Sequence, residues 1–279
     1  MPEGRERVTA EPARVPPGVD TGKANIARVY DYWLGGSNNF QADRDLARAL
    51  IAVEPNVRAI ARANRAFLGR AVRFMAAEGV RQFLDIGSGI PAGQNVHEVA
   101  GQAAPGTHVV YADADDVAVA HSRLLLQGQP DAAVVHADLR EPGTILSDPQ
   151  TRRLIDFTQP VGLLLMAVLH FIPDADDPWR HVATLRNHLA PGSYLGLSHI
   201  TTARTARLGQ AFETVYNSNT AGRVVIRDRA AIARFFDGFT LVDPGLVYIP
   251  QWRPNSPTPD DPSSFWGLAG AGRLGPSPG

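Results

Sequence analysis

The chain has 279 residues, no cysteine and a single lysine, Lys23. The absence of cysteine excludes disulfides, thiolate metal ligands and cysteine nucleophiles. The formal net charge is −1, so no overall field attracts the chain to nucleic acid or to an anionic membrane. A basic stripe with interleaved aromatic residues is also missing. We therefore expect neither nucleic acid nor a membrane as a partner.

Long hydrophobic runs are missing as well. The longest apolar stretch, VGLLLMAVL (161–169), is far too short to span a bilayer. Residues 1–22 are rich in proline, arginine and glutamate and lack the apolar core of a secretory signal, so we expect a disordered tail on a cytoplasmic protein. Residues 275–279 are predicted to form a short C-terminal tail. The histidine and acidic residues have no metal-ligand spacing such as H-E-x-x-H, so no metal site is predicted.

The rest of the chain alternates between short apolar strands and amphipathic helices. The early strands are apolar over most of their length, as in a sheet covered on both faces. Seven strands are predicted, at 81–87, 107–115, 132–139, 161–172, 190–200, 239–249 and 265–273. The pattern predicts an α/β fold with a doubly wound sheet, parallel except for an antiparallel hairpin at one edge.

Residues 23–80 precede the first strand and have the pattern of several helices. The segment 62–79 is amphipathic and closes on Gly79. This block is predicted to form a helical lid, or a lead-in to the sheet, in front of a sheet domain over residues 81–274.

A glycine loop follows the first strand in the stretch FLDIGSGIP (83–91). Gly87, Gly89 and Gly93 place the third glycine one position later than the dinucleotide motif G-x-G-x-x-G requires. Asp85 is awkward beside a pyrophosphate but suits a cationic group, such as the ammonium of S-adenosylmethionine. Both features argue against a nicotinamide-dependent dehydrogenase. From the loop alone, a plain turn from strand to helix remains an alternative.

Acidic residues also end the next two strands. Asp113 can accept hydrogen bonds from two ribose hydroxyls, because Asp115 or Asp116 is available to cap the following helix. Asp138 can accept a hydrogen bond from an adenine amino group, or it can pair with Arg140. A ligand lying across the carboxyl ends of the strands would meet all three acids.

These residues resemble the motif series of class I S-adenosylmethionine-dependent methyltransferases. The series comprises Asp85-Ile-Gly87-Ser-Gly89, Asp113, Ala137-Asp138-Leu139 and the turn at 189–194. A wider match over 27–44, 62–74, 82–91, 168–174 and 233–247 is similar to one S-adenosyl methyltransferase family, long known only as a domain of unknown function. Pro91 is usual in that family, and the resemblance covers nearly all of residues 25–273.

The resemblance implies a Rossmann-like, seven-stranded fold, S-adenosylmethionine as the cofactor, and methyl transfer to an acceptor. We expect a small-molecule acceptor, and the sequence leaves a homodimer possible. A non-catalytic protein that binds the cofactor or its demethylated product as a regulatory signal is the alternative. The residues expected at the cofactor are Tyr30, Asp85, Gly87, Ser88, Gly89, Asp113, Ala114, Asp138, Leu139, Met166 and Ala167.

Two further features are candidates for the acceptor side. By analogy with class I methyltransferases, VYDYWLGGSNNF (29–40) covers the cofactor and shapes the acceptor pocket, and Tyr32 is a catalytic candidate. Alternatively, its aromatic residues only pin the lid helices to the core. His170 and His199 are expected to end the fourth and fifth strands, where the neutral imidazole of His170 could take a proton from an acceptor. Either histidine could instead only hydrogen-bond a loop.

Overall fold

The computed structural model describes residues 20–202, 206–220 and 222–275. Residues 1–19 of the predicted N-terminal tail and residues 276–279 of the predicted C-terminal tail lie outside these ranges. Three helices come first, as the pattern over residues 23–80 predicts. They are α1 (Ile26–Leu34), α2 (Gln41–Val53) and α3 (Val57–Ala77).

Strands and helices then alternate. The strands are β1 (Gln82–Ile86), β2 (His108–Asp113), β3 (Ala132–His136), β4 (Gly162–Met166), β5 (Tyr194–Ile200), β6 (Phe239–Leu241), β7 (Val247–Tyr248) and β8 (Gly267–Leu274). The helices are α4 (Val96–Ala103), α5 (Asp116–Leu125), α6 (Pro142–Ser147), α7 (Pro149–Leu154), α8 (Pro178–Arg186), α9 (Ala206–Asn219) and α10 (Arg229–Ala233).

The sheet is doubly wound, as predicted. Its order is β3-β2-β1-β4-β5-β8-β6, and β7 also pairs with β8. Strands β1 to β5 are parallel, whereas β8 runs antiparallel to β5, β6 and β7. The described residues form eight strands instead of seven, because the predicted strand 239–249 breaks at a turn. Pro244 has no N–H to give to a ladder, and Gly245 N–H donates back to Val242 O at 2.7 Å.

Helices cover both faces of the sheet. On one face, α3 and α4 pack onto the strands, with Phe67 and Met75 among the fully buried side chains. On the other face, α6, α8 and α10 contribute Ile145, Leu185 and Ile232 to the core. The strands are apolar along their length because both of their faces are buried. The carboxyl ends of β1 to β5 all meet at one edge, which is where the site lies.

The helices before the sheet share a second core, here called the lid cluster. Its large buried members are Val29, Trp33, Leu46, Leu50, Val57, Phe212, Tyr216, Val224 and Trp266. The start of α3 belongs to this cluster, while the rest of α3 packs on the sheet. Helix α9, which was not predicted from the sequence, completes the cluster from a position far along the chain.

The turn after α1 is fixed by a buried carboxylate. Asp31 is 3% exposed, and its Oδ2 accepts hydrogen bonds from Asn38 N at 2.9 Å and from Asn39 Nδ2 at 2.8 Å. An added Cβ at Gly36 would lie 2.0 Å from Asp31 Oδ1. The polar residues of 29–40 thus build the turn, and Gly36 is required because the carboxylate occupies the space of a side chain.

Gly36→Ala is expected to lower the free energy of unfolding by about 1–3 kcal/mol, since the new methyl overlaps Asp31. Urea denaturation followed by circular dichroism measures this change. Gly101→Ala is the matched control, because Gly101 lies exposed in α4 and an added Cβ there would have no neighbour within 4 Å. The control should be neutral or stabilising by up to about 1 kcal/mol. Equal stability of the two variants would contradict this account of the turn.

Candidate functional site

A cleft of about 710 Å³ lies at the carboxyl edge of the parallel strands, under α1 and the start of α3. We call it the main cleft. All eleven residues predicted to contact a cofactor line it, from Tyr30 on α1 to Ala167 after β4. The sequence motifs of four separate strand ends therefore meet in one place.

The glycine loop forms the floor of this cleft between β1 and α4. Gly87 has φ 72°, and an added Cβ there would lie 2.3 Å from Val168 Cγ2. Only glycine accommodates both the left-handed backbone and this close approach. The loop passes Ser88, whose Oγ is buried without a hydrogen-bond partner in the described part of the chain.

Asp113, at the end of β2, holds the glycine loop in place. Its Oδ2 accepts from Gly89 N at 2.7 Å and its Oδ1 accepts from Asp115 N at 2.9 Å. Burial raises the pKa of this carboxyl, and these backbone hydrogen bonds oppose the rise. Asp115 caps α5 by accepting from Ala118 N at 2.8 Å, so Asp113 is not used as the helix cap. The backbone of Ala114 also hydrogen-bonds this carboxyl, which still has capacity to accept from a further donor.

Asp85 is buried at the end of β1 and faces the cleft with 4% of its surface exposed. Burial raises its pKa to about 7, nearby Arg65 lowers it, and Asp113 raises it further. No hydrogen bond from the described residues stabilises its charged form. Burial disfavours the charged form of this carboxyl, so a cation that enters the cleft would stabilise that form strongly.

Asp138 lies in the cleft after β3 but is already paired. Arg140 donates from Nε to Oδ2 at 3.0 Å, from Nη2 to Oδ2 at 2.5 Å and from its backbone N to Oδ1 at 2.8 Å. Burial acts to raise the pKa of Asp138, but the hydrogen bonds and charge of Arg140 lower it overall. Asp138 thus pairs with Arg140, and its contact with an adenine amino group stays a prediction.

A chain of hydrogen bonds connects the strand ends to the lid, and we call it the relay. Ala167 N donates to Ser198 Oγ at 3.0 Å, and Ser198 Oγ donates to Asn64 Oδ1 at 2.6 Å. Asn64 Nδ2 donates to Tyr30 OH at 3.1 Å, and Tyr30 OH donates to Ala61 O at 3.0 Å. Ala167 has φ 54°, an unusual conformation for alanine that turns its N–H toward β5. The relay thus fixes α1 and α3 over the cleft.

Asn64 and Arg65 also line the main cleft, although neither was predicted from the sequence. Arg65 Nη2 donates to Gly93 O at 2.8 Å and so ties α3 to the glycine loop. The sequence does contain a feature that could have identified both residues. They are polar residues within the amphipathic segment 62–79, and Asn64 lies on its buried face. Asparagine is a poor helix former, so its place in a buried helix face indicates a specific hydrogen bond.

The prediction that His170 ends the fourth strand is wrong. Strand β4 ends at Met166, and the apolar run continues into a 3-10 turn over Leu169–Phe171 that contains His170. His170 is buried and does not lie among the described residues that line the main cleft. It lines a smaller cavity beside that cleft.

His199 lies near the end of β5, as predicted, but both of its ring nitrogens are occupied. Nδ1 lies 2.6 Å from Ile200 O and Nε2 lies 2.8 Å from Arg227 Nη1, so Nδ1 carries the proton and Nε2 accepts. Burial lowers the pKa of His199 to about 3, with a contribution from Arg227. Burial, followed by His199 and Arg227, also holds the pKa of His170 well below 6.5. Both rings are therefore neutral at physiological pH.

Tyr32, predicted as a catalytic candidate, lies outside the main cleft. Tyr30 and Tyr32 are two residues apart on α1, which is about 200° around the helix, so only Tyr30 faces the cleft. The Tyr32 ring instead lies under the guanidinium groups of Arg58, at 5.1 Å, and Arg48, at 6.0 Å. Among the described residues, it lines neither the main cleft nor the smaller cavity.

Within the described ranges, no group of three or more histidine and acidic residues is arranged to hold a metal ion. No helix of the described chain is long and apolar enough to cross a membrane.

Comparison with known proteins shows which family the chain belongs to. The profile of a family described as S-adenosyl methyltransferase matches residues 12–275. A search of the curated proteins found no match.

Two solved structures have the same fold over almost their entire length. The crystal structure of a candidate methyltransferase of Thermobifida fusca YX is 42% identical, with a TM-score of 0.87 over 93% of this chain and 98% of that one. A DUF574 family protein of Streptomyces avermitilis MA-4680 is 36% identical, with a TM-score of 0.87 over 91% of this chain and 99% of that one. The chain therefore belongs to the S-adenosyl methyltransferase family, whose cofactor is the predicted S-adenosylmethionine.

Proposed function

We propose that this protein transfers the methyl group of S-adenosylmethionine to a small-molecule acceptor. The observation that carries the proposal is the buried Asp85 carboxylate. It faces the cleft without a hydrogen bond from the described residues, next to a glycine loop and a second acid, Asp113. This combination suits a ligand with a cationic end and a hydroxylated sugar.

The free polar groups of the cleft fit this cofactor. Asp85 would bind the ammonium group, and the remaining lone pairs of Asp113 would accept from the ribose hydroxyls. The unpartnered Ser88 Oγ offers one more hydrogen bond near the loop. Leu139 is buried and apolar at the edge of the cleft that would receive the adenine.

When bound, the cofactor supplies a methyl group on a positively charged sulfur, which an acceptor attacks in line. The residues of the chain would then hold the two reactants in the orientation that the attack requires and would exclude water. Tyr30, Met166 and Ala167 line the cleft on the side nearest the smaller cavity. Their carbonyl and ring faces suit a cationic centre that becomes neutral on transfer.

Calorimetry with the intact protein tests the proposed function. S-adenosylhomocysteine and S-adenosylmethionine should bind, and NAD should not. Incubation with S-adenosylmethionine and a broad panel of small acceptors should then yield a methylated product by mass spectrometry. Binding of NAD alone would refute the proposal, while cofactor binding without product across the panel would favour a regulatory binding protein.

Asp113→Ala is expected to weaken binding of S-adenosylhomocysteine by at least about tenfold, because the variant loses the ribose acceptor and the bond to Gly89 N. Isothermal titration calorimetry measures the affinity. The control is Asp131→Ala, which removes an exposed acid outside the cleft lining. An unchanged affinity in Asp113→Ala would rule out the assigned role.

Cofactor binding is expected to depend on pH through Asp85. The free carboxyl has a pKa of about 7, and an ammonium group beside it favours the charged form, so the bound pKa is lower. Binding should therefore release a proton below pH 7. Affinity should rise with pH, by at most about tenfold per unit, and level off above pH 7.

Calorimetry in buffers of different ionisation enthalpy measures the proton released. In Asp85→Asn this release should disappear, and the affinity at pH 8 should fall. The same pH slope in the variant and the wild-type protein would assign the titration to another group.

A further inference from the structure

Arg65 and Asp85 are a cation and an acid that line the main cleft together. Arg65 lies on α3, and Asp85 lies at the end of β1. Their charges interact, because Arg65 lowers the pKa of Asp85. They do not form an ion pair, since the nitrogens of Arg65 lie more than 4.0 Å from every carboxylate of the described chain. The two opposite charges are thus neighbours with a gap between them.

The guanidinium group of Arg65 is only partly used by the protein. Its Nη2 donates to Gly93 O at 2.8 Å and to Gln94 O at 3.3 Å, which fixes the group beside the glycine loop. Its Nε and Nη1 have no hydrogen-bond partner among the described residues. Neither atom belongs to the buried polar atoms that lack a partner, so both are accessible to a ligand.

The carboxylate of Asp85 is accessible in the same way. It accepts no hydrogen bond from the described residues, and neither of its oxygens belongs to the buried polar atoms that lack a partner. A cation and an anion that both keep free hydrogen-bonding atoms suit a ligand that itself carries both charges.

The other cations of the main cleft are less suited to an anionic group. Lys23, Arg28 and Arg140 each pair with an aspartate. Arg223 has no partner within the described ranges, but it is exposed to solvent, which screens its charge. Arg65 is half-buried and lies near the acid that would bind an ammonium group, so it is the better candidate.

We propose that Arg65 binds the carboxylate at the amino-acid end of S-adenosylmethionine while Asp85 binds the ammonium group. This inference rests on the proposed function, which assigns the cofactor to the main cleft. An α-amino acid carries both charges on one carbon atom, so it fits the gap with each charge beside its opposite. Arg65 is then a specificity-determining residue, which favours the cofactor over molecules with the same nucleoside and an amine but no carboxylate.

Three ligands that share the adenosine and differ at the other end test this assignment. S-adenosylhomocysteine has both charges, decarboxylated S-adenosylhomocysteine has only the ammonium group, and methylthioadenosine has neither. Isothermal titration calorimetry at pH 8 measures their affinities for the intact protein. The decarboxylated ligand should bind at least about tenfold more weakly than S-adenosylhomocysteine. Equal affinities for these two ligands would overturn the proposal.

Arg65→Met removes the charge and keeps an apolar stem. In this variant, the ratio of the affinities for S-adenosylhomocysteine and its decarboxylated analogue should fall to about one. A residue that only supported the glycine loop would weaken both ligands alike and leave the ratio unchanged, which would refute the proposal. Arg62→Met is the matched control, because Arg62 is exposed on the same helix and lies outside the cleft lining. It should keep the wild-type ratio.

The pH dependence of binding gives a second readout. The titratable groups that interact with the charge of Asp85 are Arg65 on α3 and Asp113 and Tyr111 on β2. Since Arg65 lowers the pKa of Asp85, its removal should raise that pKa. The affinity of Arg65→Met for S-adenosylhomocysteine should therefore level off at a higher pH than that of the wild type. An unchanged pH profile would mean that Arg65 is too far from Asp85 to share a ligand with it.

The remaining outcomes are also decisive. A fall of the affinity ratio in Arg223→Met in place of Arg65→Met would assign the carboxylate to the other cation and overturn the proposal. Failure of the wild-type protein to bind S-adenosylhomocysteine would refute the proposed function instead, so the two failures are distinguishable. If Arg65→Met does not fold, Arg65→Gln, which keeps an N–H donor and loses the charge, provides the same comparison.

Discussion

The arrangement of the site depends on the relay from Ala167 through Ser198 and Asn64 to Tyr30. Ser198 is 1% exposed and Asn64 is 6% exposed, so the hydrogen bond between them at the centre of the relay is shielded from water. The relay holds a strand end, a neighbouring strand and two lid helices in one geometry. It also fixes a left-handed alanine, Ala167, that lines both the main cleft and the smaller cavity beside it. The residues that line both spaces are therefore held in place by paired polar atoms.

The two acids at the ends of β1 and β2 differ in a way that explains their separate roles. Asp113 accepts hydrogen bonds from the backbone N–H groups of Gly89 and Asp115 and so shapes the loop. Asp85 accepts none from the described residues, and its burial without a partner disfavours the charged form. A group of this kind lowers the stability of the empty protein above its unfolded pKa and regains that energy when a cation binds. The proposed binding of the cofactor's ammonium group would account for a residue that folding alone does not favour.

The sequence was sufficient for the parallel strands and for the acids and glycines of the main cleft, because strand alternation and the acids at strand ends are local patterns. It was not sufficient for His170, since a continuous apolar run does not reveal where a strand stops and a turn begins. Helix α9 and Asn64 were missed because their roles depend on contacts between distant segments. The position of Tyr32 outside the main cleft could have been foreseen, because residues two apart on a helix face different directions.

The contrast between the two binding spaces gives a physical account of how donor and acceptor would be told apart. The main cleft is lined by acids and a glycine loop, which favour a cationic and hydroxylated molecule. The smaller cavity beside it is lined mostly by aromatic and aliphatic groups, which disfavour a charged molecule. An apolar part of an acceptor would be favoured there and the cofactor would not, so the two reactants would meet at the residues that line both spaces, such as Asn64, Ala167 and Phe171. The alignment of the two reactants would then depend on what each space disfavours as well as on what it binds.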